Sequence, residues 1–271
     1  MGPPSDDAGK PGSLLPGGTS STVRLVDGPD GPAVLKRYRS HRAWRQAHDA
    51  LVGWRDAAGE DLRIPRVLDA DAGPLSLLIE HLPGAHPGDS WREDWELARR
   101  LGRGLAALHG VPVEDRDPVP LAEACARRME GWLSRARGVI NPSIVQRVAA
   151  RFRPEALAGR TRRPCHRDVE PANLLLANDA PLGLIDFEHA RLDDPLVDIA
   201  RTWDGRPLAQ SPFTAALIAA WGRPAPEAAL RVHGLLHGVA TLCTAERAGD
   251  AARAAQSRDL LTWIIETPDP A

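Results

Sequence analysis

HRDVEPANLLLANDAPLGLIDFEHA, His166 to Ala190, is the stretch on which the reading of this chain turns. A polar loop carries Asp168 and, five residues on, Asn173; it runs into Leu174, Leu175 and Leu176, and a second apolar run, Leu182 to Ile185, ends at Asp186. Short apolar runs bounded by turn residues predict strands. The pattern is a loop, a hairpin and an acidic tip, with three oxygen-bearing side chains at its ends.

Those side chains have a chemistry in common. Asn173 offers a neutral amide oxygen and Asp186 a carboxylate, hard oxygen donors of the kind that suit Mg²⁺ while leaving positions for phosphate and water. Ordinary roles stand beside this one: Asp168 as a turn aspartate before Pro171, Asn173 and Asp186 as caps on local backbone groups. An isolated Asp is more often a turn residue, but His166 two residues before Asp168, Asn173 five after and Asp186 eighteen after form an ordered set.

That set resembles the catalytic segment of the protein-kinase-like superfamily, and within it the aminoglycoside phosphotransferase family, with choline, homoserine and fructosamine kinases as neighbours. Asp-Phe-Glu, Asp186 to Glu188, stands where protein kinases have Asp-Phe-Gly, and the likeness continues through ARLDDPLVDIAR, Ala190 to Arg201. The resemblance implies a small-molecule kinase in which Asp168 orients the acceptor hydroxyl and takes its proton, Asn173 and Asp186 hold Mg²⁺, His166 braces the loop, and Asp198 is a buried aspartate supporting it. It also implies an α+β, two-lobed fold: a small N-terminal antiparallel sheet with one helix, over a larger, mainly helical C-terminal lobe. Arg167, where the family commonly has Gly, and Glu170 depart from the pattern and leave the subfamily open.

Composition agrees with a globular chain. With 271 residues, 43% hydrophobic, and a net charge of -2, the protein can bury a core and offers no broad basic field for nucleic acid. No run of eighteen apolar residues occurs, and the first thirteen are rich in Pro, Gly and acid, so neither a membrane span nor a secretory signal is expected and the expected location is the cytoplasm. Cys125, Cys165 and Cys243 are far apart and odd in number, which predicts reduced, buried thiols rather than a disulfide framework or zinc site. The expected partners are a nucleotide and a small hydroxyl acceptor, with the protein a monomer or weak dimer.

Met1 to Ser13 reads as a flexible leader, residues 14–82 as the nucleotide-binding lobe and residues 83–271 as the catalytic lobe, with Pro83 and Gly84 as the break. Val23 to Val26 and Ala33 to Tyr38 predict a hairpin, Ser40 to Ala58 a helix, and Leu75 to Glu80 a further strand. Helices are expected at Trp95 to Leu108, Leu121 to Arg137, Ser143 to Phe152, Phe213 to Trp221, Glu227 to Arg247 and Ala251 to Glu266.

Lys occurs only at Lys10 and Lys36, while Arg fills nearly every other cationic position. A Lys inside the strand AVLKRY invites a specific reason, and the resemblance makes Lys36 the holder of the nucleotide phosphates; a surface Lys at a strand edge is the plainer reading. Its usual partner, a helix Glu, falls at Gln46, with Asp49 as a substitute. LPGGTSSTVRLV resembles the family's phosphate-covering loop, with Gly17 and Gly18 letting the backbone approach and Thr19, Ser20 and Ser21 as donors; Glu80, His81 and Leu82 would present backbone groups to the purine of ATP or GTP. Trp91, Trp95, Trp132, Trp203, Trp221 and Trp263 read as core, and His233 with His237 as a packed pair rather than a metal site. For the acceptor, an antibiotic or related natural product is favoured by the resemblance, with a metabolic acceptor or a catalytically inactive regulator as alternatives. A polycationic aminoglycoside needs an acidic pocket, for which Glu188, Asp193, Asp194 and Asp204 are candidates or, equally, caps and loop charges.

Overall fold

The computed structural model describes residues 14–15, 21–178 and 180–268. The expected leader, and Gly17, Gly18, Thr19 and Ser20 of the expected phosphate loop, lie outside the described residues. In chain order the first elements are β1 (Leu14–Leu15), β2 (Ser21–Gly28), β3 (Gly31–Tyr38), α1 (His41–Gly53), β4 (Leu62–Arg63), β5 (Val67–Asp71) and β6 (Ser76–Glu80). Then come α2 (Trp95–Gly110), α3 (Leu121–Ala136), α4 (Pro142–Arg151), β7 (Arg163–Cys165), β8 (Leu174–Leu175), β9 (Leu182–Leu184), β10 (Arg191–Asp193), α5 (Leu196–Thr202), α6 (Pro212–Trp221), α7 (Glu227–Ala248) and α8 (Ala251–Glu266). The fold is α+β.

The chain forms two compact units. One holds the described residues up to Trp91 together with Ala107–Val111 and His166–Arg191; the other holds Arg92–Ala106, Pro112–Cys165 and the chain from Leu192 onward. In the first, an antiparallel sheet runs in the order β1-β2-β3-β6-β5, and β4, β9 and β8 form a second, three-stranded sheet. Strands β2 and β3 extend to a turn at Pro29 and Asp30, longer than the alternating pattern alone suggests. A Cβ at Gly28 would stand 2.7 Å from that of Ala33, so the tight turn requires the missing side chain.

Helix α1 starts where Ser40 accepts a hydrogen bond from Ala43 N, and it stops at Gly53, giving way to a 3-10 turn, Arg55–Ala57. The expected helix through Ala58 is therefore shorter. Strand β3 is central, between β2 and β6, with Lys36 opposite Val23 on one side and Leu77 on the other. Lys36 is thus fixed at the backbone by two ladders.

The second unit is built around α7, which packs on α3, α5 and α8 and is buried along nearly its whole length. Close approach to α8 and to Trp203 depends on small residues one turn apart: a Cβ at Gly234 would meet Ile264 at 2.7 Å, and one at Gly238 would meet Leu261 at 2.7 Å. Cys125, Cys165 and Cys243 are free and buried. Among the described residues no helix is long and apolar enough to cross a membrane. Trp91, Trp203 and Trp221 are core, but Trp95 and Trp263 are exposed: Trp95 opens α2, and Trp263 lies beneath the Arg206 guanidinium, 5.4 Å from its ring centre.

Candidate active site

The hairpin of β8 and β9 sets the geometry. Antiparallel register pairs Leu174 with Leu184 and Leu175 with Gly183, so the residues just outside it, Asn173 and Ile185, face each other, and Ile185 N donates to Asn173 O at 3.0 Å. Asp186 follows directly. Two oxygen donors thirteen residues apart in sequence are brought to one end of a hairpin by its register.

Three contacts hold the hairpin. β9 pairs in parallel with β4; Ala85 and Leu176 exchange both backbone hydrogen bonds at 2.8 Å; and His86 Nδ1 meets Leu174 O at 3.0 Å. Gly84 makes this possible, with φ at 144° and no room for a Cβ, which would lie 2.9 Å from Leu176 O.

The loop before the hairpin is tied to it by His166, whose ring is fully buried. Its Nε2 meets Ile185 O at 2.8 Å, its Nδ1 accepts from Asp168 N at 3.3 Å, and its ring makes a T-shaped contact with Phe187, centroids 4.7 Å apart. This arrangement requires a neutral imidazole donating from Nε2. Asn173 Nδ2 donates to both Asp168 O, 2.8 Å, and Asp168 Oδ2, 3.0 Å. The amide nitrogen is therefore committed, and the amide oxygen of Asn173 is the atom left to meet a cation. Arg167 and Asp186, two of the three non-glycine residues with positive φ among the described residues, both sit at 68°. Such backbone costs on the order of 1–3 kcal/mol per residue and persists where surrounding contacts over-determine it.

Lys36 reaches into this cluster from β3. It is ion-paired with Asp186 and lies 3.4 Å from Glu188 Oε2, and the Lys36 and Glu188 side chains are each 7% exposed. The expected partners on α1 do not supply this charge: Gln46 carries none, and the exposed Asp49 pairs with His48. Lys36 Nζ also stands 5.1 Å from the Tyr38 ring centre. Burial, then the charges of Asp186 and Glu188, push the Tyr38 phenol far above its ordinary range, so Tyr38 remains a neutral wall of the site.

Other expected site residues fall as follows. Ser21 opens β2 opposite Tyr38 and is buried. Glu80 is engaged within the first unit: its amide donates to Arg66 O at 2.8 Å, and its carboxylate accepts from Arg63 at 3.1 Å and from Arg66 N at 3.2 Å. Leu82 is buried, its side chain against Gly183. Asp198 is fully buried in α5, in the second unit.

The four acids considered for an acidic pocket all have internal partners. Glu188 faces Lys36, and Asp193 takes a forked pair from Arg128. Asp194 accepts from Arg160 at 2.6 and 2.8 Å and meets His233 at 3.0 Å, while Asp204 accepts from Arg206 N and Ser211 Oγ. Burial alone would raise the Asp194 carboxyl, but hydrogen bonds and charge from His233 and Arg160 bring it down to about 2. His237 turns instead to Arg201, 2.9 Å, and Thr241, 3.1 Å. Neither histidine is directed at the other.

The phosphotransferase enzyme family model matches residues 12–235, which include Lys36 and the whole of the hairpin site. The chain belongs to this family. It is a small-molecule kinase, a phosphotransferase with a hydroxyl acceptor. Its fold is that of the kinase-like aminoglycoside phosphotransferases: 93% of this phosphotransferase aligns with 92% of aminoglycoside phosphotransferase APH(4)-Ia at a TM-score of 0.70 and 16% identity. A GDP and kanamycin complex of APH(2")-IIIa aligns at 0.67 over 92% of this chain and 91% of that one, with 21% identity. Macrolide 2'-phosphotransferase type I gives 0.64 over 92% and 90%, with 19% identity. Over 38 residues the chain is 55% identical to Protein LicA of Haemophilus influenzae; the match spans 14% of this chain and 14% of that relative's length.

Proposed function

We propose that this phosphotransferase moves the gamma-phosphoryl group of ATP or GTP to a hydroxyl of an antibiotic or related natural product, with resistance or self-protection as the outcome. The observation that carries the reading is a single connected cluster: Lys36 on Asp186, Ile185 on Asn173, and Asn173 on Asp168. Phosphoryl transfer leaves a protein mainly positioning and charge neutralisation to perform, and these four side chains divide that work.

Asp168 is the base. Its carboxylate, oriented by Asn173 and backed by His166, accepts the acceptor hydroxyl's proton as that oxygen attacks phosphorus. Asn173 Oδ1 and the Asp186 carboxylate form an all-oxygen donor set that fits Mg²⁺, which would neutralise charge on the phosphates. Lys36 leaves Asp186 for the phosphate oxygens. Ser21, with Gly18, Thr19 and Ser20, covers the phosphates, while the strand end from Glu80 to Leu82 meets the purine. His166 and Asp198 act as supports, and the nucleotide-binding residues fall within 14–82.

Support for an antibiotic acceptor comes from the neighbours, which include complexes with kanamycin and with hygromycin B and a macrolide phosphotransferase. A second reading, a metabolic acceptor, gains from the internal neutralisation of Glu188, Asp193, Asp194 and Asp204, which leaves these acids unsuited to cradle a polycation. The test is a panel of aminoglycosides, macrolides, other natural products and metabolic alcohols with MgATP or MgGTP. A mass gain of about 80 Da on a natural product supports the proposal. Modification of metabolic alcohols alone favours the second reading, and no modification with no nucleotide consumption sinks both.

A further inference from the structure

Lys36 is the one cation of the proposed phosphate site that the structure describes in full, and its counter-charge is in an unexpected place. The resemblance puts the partner position on α1 at Gln46, which is uncharged. Gln46 lines a cavity of about 310 Å³ together with Glu188, so the helix and the segment after β9 approach each other there. Glu188 occupies the charged role: it is buried and 3.4 Å from Lys36 Nζ.

The same lysine is also bonded to Asp186. If Lys36 turns to the phosphates while Asp186 offers its oxygens to a metal ion, that contact is given up and another counter-charge is needed, because an unpaired buried ammonium is costly. Glu188 supplies the alternative. It sits two residues beyond Asp186 on the 3-10 turn Phe187–His189, which is packed against α1, and Phe187 is anchored by the buried His166 ring. Its backbone is therefore carried on a packed turn, and its side chain is buried.

We propose that Glu188 is the positioning residue for Lys36, holding the ammonium off Asp186 when metal and phosphate enter, in place of a carboxylate from α1. This rests on the nucleotide reading of the site. It differs from a role for Glu188 as a metal ligand in its own right, because here Glu188 acts only through Lys36.

A double-mutant cycle separates the two. The measurement is the dissociation constant of MgATP, and of MgGTP in parallel, by titration calorimetry for wild type, Glu188→Gln, Lys36→Ala and the double variant, with melting temperatures as a check on folding. Loss of Glu188 is expected to weaken binding roughly tenfold, the scale of one desolvated charge pair, and to have less than a twofold further effect once Lys36 is gone. Glu188→Asp should recover part of the loss, and Gln46→Ala and Asp49→Ala should bind within about twofold of wild type. Additive effects of Glu188→Gln and Lys36→Ala would overturn the inference while leaving the nucleotide reading intact, as would an unchanged constant in a folded Glu188→Gln protein. Failure of the wild type to bind either nucleotide would instead sink the reading and this inference with it.

Discussion

Two groups of acids close in sequence, one ending at Asp186 and the other beginning at Asp193, are treated in opposite ways. Asp168 and Asp186 are partly exposed and lie at or beside left-handed backbone, Asp168 accepting from Asn173 and Asp186 paired with Lys36. Asp193 and Asp194 are buried and saturated by Arg128, Arg160 and His233. The sequence LDDP is as acidic as the loop before it, yet its charges hold a fold together. Partners and burial, more than the number of acids, divide chemistry from architecture.

The contrast is breakable at either end. The largest expected effect is on turnover: Asp186→Asn removes the charge that would hold a metal ion and should lower the rate on the order of 10³-fold with little change in melting temperature. In the buried group the cost should move from activity to stability. Asp194→Ala strands Arg160 and His233 and is expected to destabilise by about 3 kcal/mol or more, read by urea unfolding.

Acid should act on the same group more gently. Because the Asp194 carboxyl is depressed to about 2 in the fold, its contribution is fully present above its unfolded value, near 4, and is lost as pH falls through about 2. Unfolding curves at pH 5 and below pH 3 should differ by about 2 kcal/mol from this residue, and the difference should vanish in Asp194→Asn. At the small end, Trp95→Ala removes an exposed ring in neither group and should shift stability by less than about 0.5 kcal/mol.

Local features of this comparison were legible in the sequence and distant ones were not. The hairpin with Asn173 and Asp186 at its end follows from two apolar runs and their spacing, and the long helices follow from apolar periodicity. Strand β4 escaped notice because it is two residues long and pairs in parallel with β9, far along the chain; β5 escaped because LDAD lacks an apolar alternation and carries a bulge. The charge opposite Lys36 comes from residues 150 and more positions away, a distance over which no local pattern constrains the partner. Likewise, nothing in LDDP distinguishes locked acids from open ones, since Arg128, Arg160 and His233 approach from separate elements.

Asp168 is the proposed proton acceptor of the phosphoryl-transfer site. That role is tested most directly by Asp168→Asn, which keeps the shape of the side chain and the backbone carbonyl that receives Asn173. Nucleotide consumption with a modified acceptor should fall by about 10³-fold while MgATP or MgGTP still binds and the protein melts as wild type. Undiminished turnover in that folded variant would contradict the account.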